Sequence, residues 1–248
     1  GSEDEQDLER FLAHSRRLYE TCEASYFTLG LDTVGDMVRH HGLIASLRDF
    51  DLWSSMDAGV GRHVRHRHLR DTLDFFVKYV GSSAFDAPGV LNLLAHVQSA
   101  FGLWYVKGGL YQLALALRRL LADVGAEVRL GCEVAGILHQ GGRVQGVRLT
   151  DGSQHEGDVV VSNMEVVPAH RRLLGESDRQ LRRFRRFEPA CSGLVLHLGV
   201  DREYPHLAHH NFFFSGHPKE HFRSVFHRKE LPEDPTIYLV APARSDPT

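Results

Sequence analysis

The stretch that most constrains the fold lies between residues 105 and 163, where one helical pattern is followed by several strand patterns. From Leu110 to Val124, leucines recur every three or four residues, and the helix that they predict is stopped by Gly125. Strand patterns then follow at 127–130, 133–139, 143–149 and 158–163. This order predicts a helix, a hairpin and a return strand.

Short turns join the middle strands of that stretch. Gly141-Gly142 suits a two-residue hairpin turn in which both residues have left-handed backbone, and Asp151-Gly152 is a second turn sequence of this kind. The two turns predict that the strands beside them pair antiparallel.

The flanking regions differ from each other in character. Before residue 105 the apolar residues recur at helical spacing, first from Asp7 to Tyr26 and then in shorter segments up to Val97. After Asn163 an arginine-rich helical stretch leads to three strand candidates at 193–200, 211–214 and 236–240. The whole chain therefore predicts a mixed fold, α+β or α/β.

Composition excludes several classes of protein. The 248 residues are 42% hydrophobic and 25% charged, which is typical of a soluble globular protein. Lysine and arginine number 29 against 32 acidic residues, a net charge of -3, so the chain carries no overall basic field for nucleic acid. The three cysteines are far apart and form no C-x-x-C motif, which favours a reducing, cytoplasmic setting.

Self-sufficient catalytic motifs are absent from the sequence. It contains no G-x-G-x-x-G turn, P-loop, H-E-x-x-H, G-x-S-x-G or EF-hand loop. A dinucleotide cofactor needs backbone N–H groups of such a turn close to its pyrophosphate. Any such cofactor is therefore expected to be held partly by other residues.

A basic cluster, GRHVRHRHLR, occupies residues 61–70. His63 and His66 could share one helical face as metal ligands, but no carboxylate or cysteine stands at ligand spacing and the neighbouring arginines repel a cation. We therefore predict no metal site. A solvated face, or one that meets anionic lipid headgroups, explains the cluster better.

Residues 105–163, from YVKGGLYQL to GDVVVSN, resemble the middle flavin-domain segment of the carotenoid desaturases, the phytoene and diapophytoene desaturases among the amine-oxidase-like flavoproteins. The resemblance extends to FLAHSRRLYE at 11–20, HLRDTLDFFVKYVGSSAF at 68–85, LAHHNFFFS at 207–215 and DPTIYLVAPARSDPT at 234–248. It implies three regions: a helical substrate and membrane-facing region at 3–104, the middle of an FAD-binding domain at 105–170, and substrate-domain helices and strands at 171–248.

The resemblance also implies a chemistry. Enzymes of this family use FAD to remove two hydrogens from a long isoprenoid hydrocarbon such as phytoene or diapophytoene. By position in the family motifs, the flavin contacts are Gly108, Gly109, Val134, Ile137 and Asn163. The N- and C-terminal Rossmann parts of the flavin domain are missing, so we expect an internal fragment of the full enzyme that binds FAD weakly or not at all and is inactive alone.

Such a substrate has no polar group for a protein to bind, so an apolar tunnel must hold it. Tyr79, Phe85, Phe101 and Trp104 are the candidate lining residues, although core packing explains aromatic residues equally well. Arg16 is the candidate catalytic residue, with an electrostatic role, because arginine does not act as a base.

Three other interpretations stay open at this stage. One is a related carotenoid oxidase or ketolase-like flavoenzyme, the second is a non-catalytic module that binds an apolar ligand, and the third is a histidine-based metal module. Because the substrate partitions into bilayers, the full enzyme is expected to lie on the cytoplasmic membrane peripherally, without spanning it. The oligomeric state is not predicted.

Overall fold

The amphipathic pattern near the N-terminus forms a long helix in a computed structural model that describes residues 2–30, 33–187 and 192–246. The α-helices of these residues are, in chain order, α1 (Ser2–Cys22), α2 (Val34–His41), α3 (Leu43–Arg48), α4 (Met56–Gly61), α5 (Arg67–Asp74), α6 (Leu93–Phe101), α7 (Tyr111–Asp123), α8 (Val166–Arg172), α9 (Asp178–Leu181) and α10 (Pro218–Arg223). The predicted division of the first hundred residues into several helices is confirmed.

Two antiparallel sheets complete the regular structure of the described residues. Their strands are β1 (Val134–Gln140), β2 (Arg143–Leu149) and β3 (Gln154–Glu156) in one sheet, and β4 (His210–Phe213) and β5 (Ile237–Val240) in the other. The predicted combination of helices and sheet is therefore confirmed. The chain divides into two units, the first from Gly1–Gly109 with Cys191–Thr248 and the second from Leu110–Ala190. The division into three functional regions, with boundaries after residues 104 and 170, stays a prediction.

The core of the first unit lies between α1, α4, α5 and α6. Phe11 is completely buried in a cluster with Val60, Val64, Leu73 and Ala95. Polar contacts fix the same packing, because the buried Ser15 hydroxyl donates to the Asn92 carbonyl at 2.6 Å and accepts from the His96 N–H at 2.7 Å. The apolar stripe of α1 is therefore buried as its periodicity predicts.

The second unit is organised by its hairpin. β1 and β2 pair antiparallel with Gln140 opposite Arg143, so Gly141 and Gly142 form the two-residue turn, with φ of 58° and 76°. Both residues adopt the left-handed backbone that a type I′ turn needs, which confirms the predicted hairpin. Gly152, at φ 89°, turns the chain from β2 into β3, as its sequence also predicts.

Three predicted strands are wrong for the described residues. The segments 127–130, 158–163 and 193–200 are irregular and make no strand pairing. Their apolar side chains are exposed, among them Leu130, Val161 and Leu198. A hairpin strand finds its partner across a short turn, whereas a buried parallel strand needs partners from distant parts of a chain, and the described residues supply none here.

Candidate functional site

The Gly-Gly pair expected to contact a flavin forms an open turn in the first unit. Gly108 and Gly109 both have left-handed backbone, with φ of 79° and 85°. The Gly108 N–H donates to the Asp246 carboxylate at 2.9 Å, and a Cβ placed on Gly109 would meet no atom within 4 Å. The Gly108 N–H is thus already paired with a carboxylate, whereas Gly109 has free space beside it.

The other expected flavin contacts lie in the second unit and are described separately. Val134 starts β1 with its side chain 36% exposed. Ile137 is half-buried, and its N–H donates to the Leu173 carbonyl at 2.7 Å. Asn163 is exposed in irregular chain. The Ile137 N–H is already paired within the chain, and the contacts of these three residues with a flavin stay a prediction.

Three of the four candidate substrate-lining residues are exposed. Tyr79 is 56% exposed and its hydroxyl accepts from the Gln98 amide at 2.8 Å. Phe101 and Trp104 are 52% and 90% exposed, and the Trp104 indole donates to the Phe101 carbonyl at 2.9 Å. Residues 101–105 form an exposed apolar run that contains Phe101, Leu103, Trp104 and Tyr105. Contiguous exposed apolar surface of this kind marks a ligand-binding or contact surface.

Phe85 has a different environment. Its half-buried ring packs edge-on against Phe222, with centroids 5.9 Å apart, beside a buried cluster that contains Met56 and Val77. These contacts are those of a core residue, so Phe85 supports the packing interpretation that the sequence left open. Its lining role stays a prediction.

Arg16 lies on the exposed side of α1. Its Nε donates to the Glu20 carboxylate at 2.7 Å, and both side chains are more than half exposed. The guanidinium is therefore in solvent and paired within its own helix, where electrostatic effects are weak. Its catalytic role stays a prediction that this geometry does not strengthen.

The next residue, Arg17, lines a charged cleft of about 730 Å³ that sequence reasoning missed. His14 and His63 face each other in this cleft with ring centroids 4.9 Å apart. Burial, and then the neighbouring His63, lowers the pKa of His14 to about 4, so its ring is neutral at pH 7. Asp51 and Arg62 pair at the edge of the cleft. Such a lining suits a polar ligand and does not suit a hydrocarbon.

Tertiary packing explains why this cleft escaped prediction. Its residues come from α1 and from 48–63, segments that are far apart in sequence. The only local signal was the arginine-rich and histidine-rich cluster at 61–70. That cluster includes two residues of the cleft, Arg62 and His63.

The rest of the basic cluster is neutralised by acidic partners. Arg65 contacts the buried Asp7 at 3.0 Å, and Arg70 contacts Asp57 at 2.9 Å. Arg67 lies 3.6 Å from Asp71. The arginines therefore do not form an unpaired positive surface. His63 faces His14 whereas His66 precedes α5, so they do not form the pair of ligands considered above, and no metal-binding group of three side chains occurs in the described ranges.

None of the helices in the described part of the chain is both long enough and apolar enough to span a bilayer.

Comparison with known proteins identifies relatives along nearly the whole chain. The family model of flavin containing amine oxidoreductases matches residues 8–240. A 4,4'-diapolycopene oxygenase of Methylomonas sp is 52% identical over 240 residues, which cover 97% of this chain and 48% of that protein. A 4,4'-diaponeurosporene oxygenase of Staphylococcus haemolyticus is 47% identical over 248 residues, which cover 100% of this chain and 49% of the relative.

The chain thus spans about half the length of the curated relatives that it matches. The resemblance read from 105–163 is confirmed at the level of the family, and a flavin cofactor is confirmed as the property of that family. A 4,4'-diaponeurosporene oxygenase of Staphylococcus aureus is 42% identical over 247 residues, which cover 99% of this chain and 50% of that protein. This chain belongs to the family of flavin-containing amine oxidoreductases.

Proposed function

We propose that this chain is the substrate-binding and flavin-contacting part of an FAD-dependent oxidoreductase that introduces oxygen into a long carotenoid. The observation that supports it most strongly is the identity of 52% and 47%, over nearly the entire chain, to two enzymes named as oxygenases of 4,4'-diapolycopene and 4,4'-diaponeurosporene. The matched residues span both units, so they include the run at 101–105 and the segment 105–163.

The choice between oxygenation and desaturation follows from the same relatives. The flavin segment at 105–163 is shared by both reaction types and therefore does not separate them. The names of the relatives favour oxygenation over the desaturation of phytoene or diapophytoene that the sequence resemblance first implied. Desaturation is then the alternative outcome of the test below.

In this proposal the chain supplies binding and orientation. The exposed run at 101–105, together with Tyr79, contacts the apolar chain of the substrate, where burial contributes about 25 cal/mol per Å². Gly108, Gly109, Val134 and Asn163 contact the cofactor. The bound flavin supplies the redox chemistry, as it does throughout such enzymes.

Peripheral attachment to the cytoplasmic membrane belongs to the same proposal. It is supported by the apolar character of the substrate and by the exposed Leu103 and Trp104, which suit the interface of a bilayer. Since the arginines of 61–70 have acidic partners, we expect these apolar residues to contribute more than the basic cluster. Flotation of the full-length protein with liposomes tests this, and attachment that depends on Arg62 and Arg65 but not on Trp104 would contradict it.

The reaction is tested by expressing the full-length protein with 4,4'-diaponeurosporene under ¹⁸O₂ and analysing the products by absorption and mass. Incorporated ¹⁸O supports the proposal, whereas loss of two hydrogens without oxygen identifies a desaturase. Trp104→Ala should reduce product formation several-fold. Trp53→Ala is the matched control, because Trp53 is also largely exposed, at 78%, but lies outside the run at 101–105.

Cofactor binding by the chain alone has its own test. We expect gel filtration of the 248-residue chain with FAD to leave little or no flavin absorbance in the protein peak. Stoichiometric flavin in that peak would show that the chain holds the cofactor without a dinucleotide turn, and the assignment of an incomplete flavin domain would then be wrong.

A further inference from the structure

One lysine of the first unit is surrounded by aromatic rings. The ammonium of Lys78 lies 3.7 Å from the ring centroid of Tyr238, 4.9 Å from that of Phe75, 5.0 Å from that of Phe212 and 5.3 Å from that of Tyr79. Four cation–π contacts to one ammonium are unusual, because a typical chain has about one significant contact per 70–80 residues.

The four rings come from three elements that pack against each other. Phe75 and Tyr79 flank Lys78 on the 3-10 turn Phe75–Val80, and Phe212 and Tyr238 are opposite one another on β4 and β5. The rings of Phe212 and Tyr238 stack 4.7 Å apart and nearly parallel, at 7°. Phe75 meets Phe212 edge-on, with centroids 5.0 Å apart, so the rings lie in different planes beside the ammonium, and the register of the β4–β5 pair places two of them.

Among the described residues no protein group accepts a hydrogen bond from the half-buried Lys78 ammonium, so its protons face solvent. Lys78 forms no salt bridge and donates no hydrogen bond to any residue that the structure describes, and burial lowers the pKa of its amine. Aromatic faces attract the charge but do not replace hydrogen bonds. The other lysine over an aromatic ring, Lys219, lies 5.7 Å from Phe85 alone and is exposed.

The surface is accessible to a ligand. Tyr79 and Tyr238 are 56% and 40% exposed, and the Tyr238 hydroxyl is held by a 2.7 Å contact with His210 Nδ1. A flat conjugated chain packs well against flat rings, as offset aromatic pairs do. A hydrocarbon that covered the ammonium would displace water from its protons without accepting a hydrogen bond, whereas a ligand with one terminal oxygen would accept one.

We propose that Lys78 and its four rings bind the oxygenated end of a polyene, with Lys78 Nζ–H donating to the terminal oxygen while the rings of Phe75, Tyr79, Phe212 and Tyr238 contact the conjugated chain. This inference rests on the proposed function, because a protein that introduces oxygen into a carotenoid must hold a partly oxygenated chain. It assigns to Lys78 a role in discriminating oxygenated from hydrocarbon ends.

The test uses two fluorescent polyenes that differ only in the terminal oxygen, retinol and its deoxy hydrocarbon axerophthene, titrated against the 248-residue chain. We expect the chain to bind retinol at least tenfold more tightly, since a hydrogen bond from a charged donor has about this effect. Lys78→Met should remove the preference by weakening retinol binding alone. Lys219→Met, the matched control, should keep it.

Several results would overturn the inference. They are equal affinity of the wild-type chain for the two probes, binding of neither, or an unchanged preference in Lys78→Met. Thermal unfolding by circular dichroism verifies that Lys78→Met folds, and Lys78→Gln, which keeps a donor without the charge, should retain part of the preference. The ¹⁸O₂ experiment on the full-length protein is independent: a retinol preference without incorporation of ¹⁸O into the carotenoid would reject the proposed function and leave the binding site standing.

Discussion

The helices α1 and α7 have similar apolar periodicity but opposite environments. Phe11 and Leu18 on α1 are 0% and 3% exposed, whereas Leu113 and Leu117 on α7 are both 53% exposed, and α7 has no buried residue. The first unit also contains three buried clusters around α1, α4 and α6. The comparison shows that an amphipathic pattern specifies a helix and the side to be covered, but not what covers it.

The largest expected effect contrasts these two helices. Phe11→Ala should lower the free energy of unfolding by about 3–5 kcal/mol, because it leaves a cavity in a closed core. Leu117→Ala in α7 should change it by less than about 0.5 kcal/mol, since the side chain is already in solvent. Urea unfolding followed by circular dichroism measures both. Similar losses of unfolding free energy in the two variants would contradict the contrast between α1 and α7.

The second unit has one position where a large effect is also expected. Gly146 of β2 has φ 145°, and a Cβ there would lie 2.0 Å from the backbone oxygen of His155. Gly146→Ala should therefore destabilise the β2–β3 pair by about 3 kcal/mol. Hydrogen exchange of the β2 and β3 amides measures this loss of stability. Gly157→Ala is the control, because the added Cβ would find ordinary contact at 3.7 Å; equal effects would contradict the close approach.

Acid should affect the first unit through His14. Its pKa is about 4 in the folded chain against 6.5 in its ordinary state, so between these values the unfolded chain binds a proton that the folded chain does not. Stability is then retained above pH 6.5 and lost as the pH falls toward 4. The loss from His14 amounts to about 2 kcal/mol between pH 7.5 and 5.

Comparison of variants isolates that contribution. His14→Gln should reduce the pH dependence of the urea midpoint between pH 7.5 and 5. His68→Gln, at an exposed position on α5, should leave the pH dependence as in the wild-type chain. An unchanged pH dependence in His14→Gln would show that other groups control the acid response.

The smallest of the four effects concerns the contact between α1 and α6. Ser15→Ala removes the hydroxyl that joins the Asn92 carbonyl to the His96 N–H, and leaves two buried backbone groups without that partner. We expect a loss of about 1–2 kcal/mol in urea unfolding. Ser99→Ala, at an exposed serine of α6, should have no measurable effect. A neutral Ser15→Ala would mean that water replaces the hydroxyl.

Prediction from sequence succeeded where the interaction is local. The hairpin at 134–149 was predicted because Gly141-Gly142 dictates its turn, and the end of α7 was predicted because Gly125, at φ 78°, stops the helix. The strands predicted at 127–130, 158–163 and 193–200 failed, since a strand pattern does not name its partner. Phe85 resembled the other candidate lining residues in sequence, yet it packs against Phe222.

The candidate sites divide in the same way. The motif at 105–163 pointed to the flavin family, which the comparisons confirm. Arg16 was selected from its sequence context, while its neighbour Arg17 lines the cleft, because the exact face of a helix that meets a neighbour depends on packing. The aromatic environment of Lys78 had no local signal, since two of its rings come from strands more than a hundred residues away.

By itself, the sequence determined the helices, the hairpin turns and the family, because turn geometry, helical periodicity and a long motif are encoded in neighbouring residues. Only the tertiary structure decided which apolar stripe is buried, which arginines are neutralised by acids, and which rings surround Lys78. The physical reason is that burial, ion pairing and cation–π contact depend on distances between residues that are remote in sequence, and only packing sets those distances.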